Sequence, residues 1–260
     1  MIGTRVFTSA QSSVRSSFRF ASTHVSKRVA VVLSGNGVYD GTECTEGVAV
    51  LVHLSRVGAS VQCYAPTVDQ MHAINHLKGA PHETNRNTLE ESARLARGNV
   101  RPLEDLDLSA VDALVFPGGF GAAKNLSTWA VDGVNATLNE DVKKAIVGAH
   151  SKKIPIAACC IAPTLLALAL KDVPGGISLT VGIGDTRDSK WPYAGTVGQL
   201  KELGVNHIEN SIGEVTTDPK NLLVTAPAYM YEGQPHEVFD SVGLMINDLS
   251  RMMEGQGQQK

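Results

Sequence analysis

Apolar positions along the chain fall into short continuous runs, separated by longer stretches with helical spacing. "RVAVVLS", Arg28 to Ser34, is almost wholly apolar and ends against Gly35 and Gly37. Such a run predicts a strand buried on both faces. "EGVAVLVHLSRVGA" follows with apolar residues every three or four positions and stops at Gly58, which predicts an amphipathic helix and its terminator. The alternation then repeats. "SVQCYAP", "VDALVFPGG", "IPIAACC", "GISLTVG" and "NLLVTAPAY" predict strands, and "NTLEESARLARG", "TLNEDVKKAIVGAHSKK", "IAPTLLALAL" and "EVFDSVGLMINDLSRMM" predict helices. Pro163 falls in the first turn of one of these helices, where a missing N–H costs least. Regular alternation of this kind specifies an α/β fold: a mostly parallel sheet with helices on both faces. The polar stretch from Pro66 to Gly98 is long for one connection and predicts an inserted helical hairpin over the sheet.

The 260 residues fit one such domain with short extensions, and no internal repeat, linker or composition shift marks a second. The domain is expected over residues 28–254, with a flexible tail at 255–260. At 43% hydrophobic and 19% charged, the chain can bury a sizeable core. No apolar run approaches the length of about 18 residues that a membrane helix requires, so no membrane partner is expected. The net charge is −3 and no basic stripe appears, which argues against nucleic acid as a partner.

Residues 1–27 differ from the rest. They carry Arg5, Arg15, Arg19 and Lys27, many serines and no acidic residue. An Arg- and Ser-rich, acid-free start without a long apolar run predicts a mitochondrial transit peptide and matrix localisation; a tail without an address is the alternative. Arg19 stands two positions before a cut at Phe20–Ala21. Cys44, Cys63, Cys159 and Cys160 show neither CxxC nor zinc-ligand spacing, and adjacent cysteines are poor disulfide partners. Free thiols in a reducing compartment are expected.

In open α/β sheets, chemistry gathers at the carboxyl ends of the strands. Three of those ends carry suggestive residues. Cys160 is pinched between a predicted strand and a predicted helix, the geometry of a nucleophile elbow with Cys in place of Ser. A helix N-terminus there is expected to favour the thiolate. The plainer reading, a small buried hydrophobe, suits Cys159 better, because it still lies in the strand. "FPGGFGAAKNL" puts Gly118 and Gly119 in a turn whose N–H groups can face an oxyanion; it can equally be an ordinary tight turn. Glu46 opens the first helix, where a carboxylate also suits the helix dipole. His72 and His76 in "HAINH" have i, i+4 spacing, but no HExxH pattern accompanies them, and no metal is expected. A surface or pocket-lining role suits them better. His53 and His150 lie in helical patterns and read as structural.

Taken together, these segments resemble a family. "AACCIAPTLL" resembles the elbow of the ThiJ/PfpI proteins, and "ALVFPGGFGAAKNL" resembles their oxyanion turn. Glu46 stands where that family places a helix-opening glutamate bonded to the elbow cysteine. "DQMHAINHLKG", "ESARLARG" and "TAPAYM" resemble the ElbB subgroup and its mitochondrial vertebrate relatives of the ES-one type. The resemblance runs from Arg28 to about Met253. It implies the flavodoxin-like three-layer sandwich of class I glutamine amidotransferases, with Cys160 as nucleophile and Glu46 as its acid/base partner. The N–H groups of Gly119 and Ile161 would supply the oxyanion site. It further implies a cofactor-free enzyme of the glutathione-independent glyoxalase kind, a small aldehyde as substrate, and a homodimer. A non-catalytic regulatory or redox-sensing protein that keeps the fold is the alternative.

Amidotransferases also pair the elbow Cys with a late His and Glu. Here "TAPAYMYEGQPHEV" offers only His236, with no Glu two residues after it. Other branches carry a His some 20 residues after the cysteine, where this chain has none. Glutamine hydrolysis is therefore not expected, and any third catalytic residue stays open.

Overall fold

A computed structural model describes residues 26–257. Its main sheet has seven strands: β1 (Arg28–Val32), β2 (Ser60–Ala65), β3 (Val100–Pro102), β4 (Ala113–Phe116), β5 (Ile156–Cys159), β6 (Thr216–Asp218) and β7 (Leu223–Ala226). Their order is β6-β7-β5-β4-β1-β2-β3, and every pairing is parallel except β6 with β7. The helices that matter here are α1 (Cys44–Arg56), α2 (Thr88–Leu95), α3 (Glu140–Ser151), α4 (Pro163–Ala169), α5 (Gly195–Glu202) and α6 (Pro235–Gly257). α1 packs on α2 and α6, and α3 packs on α4, so two separate helix groups cover the sheet. The result is the mostly parallel α/β sandwich expected from the alternation.

The continuous apolar runs are continuous because both of their faces are covered. β4, β5 and β7 are buried at every residue, and Phe116, Leu114, Ile156 and Leu223 are fully buried at the centre. α1 begins where the Glu43 side chain accepts the N–H of Glu46 at 2.8 Å, and it gives way to Gly58 at positive φ. His53 and His150 are tied to backbone and side chain as structural residues, to the Phe239 carbonyl and to Asn221.

Several expectations need correction. The insert between Pro66 and Gly98 is not a helical hairpin. It holds a two-stranded antiparallel pair, Ile74–Asn75 with Ala80–Pro81, followed by the single helix α2. The reason is local turn chemistry. The Asn75 side chain accepts the N–H groups of Leu77 and Lys78, and Gly79 takes φ 64°, so the chain reverses where the spacing looks helical. His72 and His76 therefore do not share a helix face. "GISLTVG" contributes only Ser178–Leu179, paired with Asn206–His207 in a small separate sheet. The short edge strands β3 and β6 carry no apolar run that predicts them. At the ends, the helix continues through Gly257, into the segment expected to be a flexible tail. The expected leader lies outside the described residues except for Ser26 and Lys27. Those two are docked on the domain: the Lys27 carbonyl accepts the N–H of Ser60, and the Ser26 hydroxyl donates to the Gly58 carbonyl.

Candidate active site

β5 ends at Cys159, and Cys160 turns away from it at φ 59°. A left-handed backbone is strained for any residue with a Cβ, and it occurs where the surroundings enforce it. Here the Cys160 N–H donates to the Ala226 carbonyl of β7 at 3.0 Å, and the Ala162 N–H folds back on the Cys159 carbonyl. Pro163 then opens α4 at its first position. The bend is the strand–turn–helix elbow that the sequence suggests. It separates the neighbours: Cys159 is fully buried in the sheet, whereas Cys160 lines a cavity of about 290 Å³.

The turn after β4 closes over the elbow. The Gly118 carbonyl accepts the Glu43 N–H, the Phe120 N–H donates to the Val38 carbonyl, and the Gly121 N–H donates to the Gly41 carbonyl. These bonds clamp the turn to the loop that leads into α1. A Cβ at Gly118 would collide with the Cys160 side chain and with Glu46 Oε2. Gly119, at φ 97°, lies against the backbone of Gly41 to Glu43. Both glycines are there for close approach. The Gly119 and Ile161 N–H groups point at the Cys160 sulfur. Gly118 is differently placed: its N–H is directed at Glu46 and Cys159, beneath the cavity and not into it.

Glu46 is wholly buried in the first turn of α1. Its Oε1 accepts the N–H of Tyr229 at 3.0 Å. Its Oε2 lies beside the Cys160 thiol and the Gly118 N–H, without a hydrogen bond of full geometry. Burial, with the nearby Glu43 charge adding to it, pushes the Glu46 carboxyl up to about 8. The Cys160 thiol is also raised, first by burial and then by Glu46; the Gly119 and Ile161 N–H groups pull the other way. The expected net lowering by a helix N-terminus is thus outweighed by desolvation. The two shifts are linked, because a protonated Glu46 removes the repulsion that opposes the thiolate.

No other cysteine is comparably placed. Burial pushes Cys63 up to about 11 and also raises Cys159 well above the ordinary thiol value, and Cys44 is exposed, with its thiol on the Asn36 side chain. The cavity wall also holds residues that the sequence did not suggest: Tyr39, Glu43, Tyr193, Tyr229 and Glu232. Among the described residues no histidine lines it, and His236 is exposed at the start of α6. His76 reaches the site indirectly, stacking on Tyr39 at 4.9 Å.

No family model matches the chain. The chain is, however, 50% identical over 220 residues to the mitochondrial ES1 protein homolog of Rattus norvegicus, covering 84% of this chain and 81% of that one. It is 48% identical over 246 residues to the mitochondrial glutamine amidotransferase-like class 1 domain-containing protein 3 of Homo sapiens, covering 92% and 90%. The chain belongs to the ES1 family of class I glutamine amidotransferase-like proteins. Among solved structures, an isoprenoid biosynthesis protein with an amidotransferase-like domain from Ehrlichia chaffeensis superposes with a TM-score of 0.79 at 29% identity, over 88% of this chain and all of that one. Glyoxalase III of Candida albicans shares the fold, with a TM-score of 0.54 at 18% identity over 85% of this chain and 96% of that one. Glu46 and Cys160 of this ES1-family chain are thus seated in an α/β sandwich shared with these structures, Cys160 just past the carboxyl end of β5 and Glu46 in the first turn of α1.

Proposed function

We propose that the protein is a cofactor-free enzyme of the mitochondrial matrix that converts small α-oxoaldehydes, such as glyoxal and methylglyoxal, to hydroxy acids. The observation that carries this reading is the pairing of Glu46 and Cys160. A buried carboxyl with no compensating cation stands beside the one thiol that lines the cavity. A carboxyl held near 8 populates both protonation states close to neutral pH, as a proton shuttle requires. The leader and the mitochondrial names of the relatives support the compartment.

The chemistry balances with the residues present. Cys160 loses its proton to Glu46 as its sulfur bonds to the aldehyde carbon, and the carbonyl oxygen takes up a proton to give a hemithioacetal. The Gly119 and Ile161 N–H groups face that oxygen's developing charge. Tyr193 lines the same cavity and can supply the proton, because burial raises its phenol and keeps it a donor. Glu46 is ionised again by passing the thiol's proton to the Tyr193 phenolate. It then removes the hydrogen on the former aldehyde carbon while the neighbouring carbonyl oxygen takes a proton from Tyr193. It returns that hydrogen to the neighbouring carbon while the first oxygen gives its proton back to Tyr193 and becomes the thioester carbonyl. The resulting thioester is cleaved by water, which releases the hydroxy acid and restores the thiol. Purified mature protein should turn over methylglyoxal, and Cys160→Ser should not. Equal activity in the two, including none in either, overturns the reading and leaves a protein that keeps the fold for regulation.

A further inference from the structure

We infer that the cavity over Cys160 is a charge filter, built for α-oxoaldehydes with a neutral or cationic apolar body and closed to carboxylated or phosphorylated ones. Its charged lining is entirely acidic. Glu43 comes from the N-cap of α1 and Glu232 from the loop before α6, and among the described residues no Lys, Arg or His lines it. A third carboxyl lies at the floor: Glu46, fully buried, with Oε2 unpaired beside the Cys160 sulfur. The remaining wall is apolar or aromatic, from Val38, Phe120, Ile161 and Met230 to the tyrosines.

Neighbouring cations do not cancel this. Lys124 lies in an adjoining space that shares Tyr39 and Phe120 as its wall. Its ammonium donates to the Tyr39 carbonyl at 2.8 Å and sits 5.3 Å from the Phe120 ring centre. Lys190 is drawn over the Tyr231 ring at 5.7 Å and is itself exposed. The donors at the sulfur, Gly119 and Ile161, suffice for one oxyanion and no more. The charged groups that an additional carboxylate or phosphate would meet among the described lining residues are all of its own sign, inside a partly desolvated space where such fields are focused. Size points the same way. About 290 Å³ is more than a three-carbon dicarbonyl fills, and the surplus is faced by Phe120 and Met230.

The substrate side of this inference rests on the aldehyde chemistry proposed above; access to Cys160 does not. The test therefore has two arms. In the first, a neutral and an anionic methanethiosulfonate modify the full mature protein, and mass spectrometry follows Cys160 alone. The neutral-to-anionic rate ratio should exceed that of a free thiol by about tenfold or more at low salt and shrink as salt is added. Glu232→Lys should bring the ratio down several-fold. A ratio equal to the free thiol's, one indifferent to Glu232→Lys, or no modification of Cys160 overturns the filter. In the second arm, phenylglyoxal should be turned over at least tenfold better than 4-carboxyphenylglyoxal, which has the same reacting centre. Equal turnover overturns the filter. Selective labelling with no turnover of either compound keeps the filter and removes the aldehyde reading.

Discussion

Among the described residues, two carboxylates are completely buried, Asp40 and Glu46, and the fold treats them in opposite ways. Asp40 is pinned from several sides. Its Oδ2 accepts the Ile74 N–H at 2.6 Å, the Arg86 guanidinium stands 4.0 Å away, and the His76 imidazole stands 3.8 Å from Oδ1. It fastens the two-stranded insert to the sheet. Glu46 has one full backbone hydrogen bond, from Tyr229, a Gly118 N–H directed at it, no cation, and another glutamate as the charge that acts on it. Asp40, buried with compensation, serves the architecture; Glu46, buried without it, has the environment that the proposed proton shuttle needs. The acid that matters is marked by what surrounds it more than by its burial.

The sharpest way to break this contrast is Glu46→Gln. Glutamine keeps the volume and can still accept the Tyr229 N–H, but it shuttles no proton. Aldehyde turnover should fall by roughly 10²–10⁴-fold, with Cys160 still open to iodoacetamide. Stability should move in the other direction. Burial raises the carboxyl from 4.5 to about 8, so the folded state holds a proton that the unfolded state releases. The stability this contributes is complete below about pH 4.5 and is lost as pH rises towards 8. The glutamine side chain does not titrate and has no such dependence. The variant should therefore gain on the wild type by about 1.4 kcal/mol per pH unit across that window and level off above it. Denaturant titrations at several pH values measure the difference, and a gap that closes as pH rises would mean Glu46 is compensated after all.

Asp40→Ala should do the reverse: harm the fold and spare the thiol. It strands the buried Ile74 N–H and releases the insert, a loss of about 1–3 kcal/mol. Hydrogen exchange at Ile74 should accelerate, while Cys160 in the folded protein alkylates at the wild-type rate. An unchanged stability would strip Asp40 of its structural role.

The two carboxylates also differ in how far the sequence announces them. Glu46 is legible because it opens a periodic helix after a buried strand, and Cys160 because it interrupts a strand–helix junction. Both signals are local. Asp40 is not legible: its partners, Ile74, His76 and Arg86, come from an insert whose path is decided by the Asn75 turn and Gly79. Helical spacing misreads that insert because a two-residue strand is too short to show its own period. Sheet strands β1, β4, β5 and β7 are legible through double-sided burial and β2 through its buried second half, but β3 and β6 are short edges whose residues need no apolar run. The thiol's environment escapes the sequence for a related reason. A helix N-terminus can be read from Pro163, but the desolvation that outweighs it depends on packing from distant segments. The tyrosines and Glu232 reach the cavity from loops, where no periodicity leads to them.

Tyr193 offers the smallest and most selective test of the contrast, because it concerns a neutral donor that shares the cavity with the thiol beside the uncompensated acid. The "WPY" segment that carries it is held by Trp191, which is buried against Tyr231 at 5.0 Å and leaves no room for a Cβ at Gly182. Its ring meets Phe120 edge-on, with centroids 5.8 Å apart. Tyr193→Phe keeps that aromatic contact and removes only the hydroxyl. The Tyr229 hydroxyl is engaged by Thr45 and cannot readily take over. Glu46 can deliver the same proton less directly, so the loss should be about tenfold in kcat and not complete. KM should change little, since the apolar wall is intact, and the rate of Cys160 alkylation by iodoacetamide should not change at all. A fall in alkylation would show that Tyr193 shapes access to the thiol. Undiminished kcat would leave Glu46 as the sole proton carrier, and the missing histidine of related active sites would then have no replacement in this cavity.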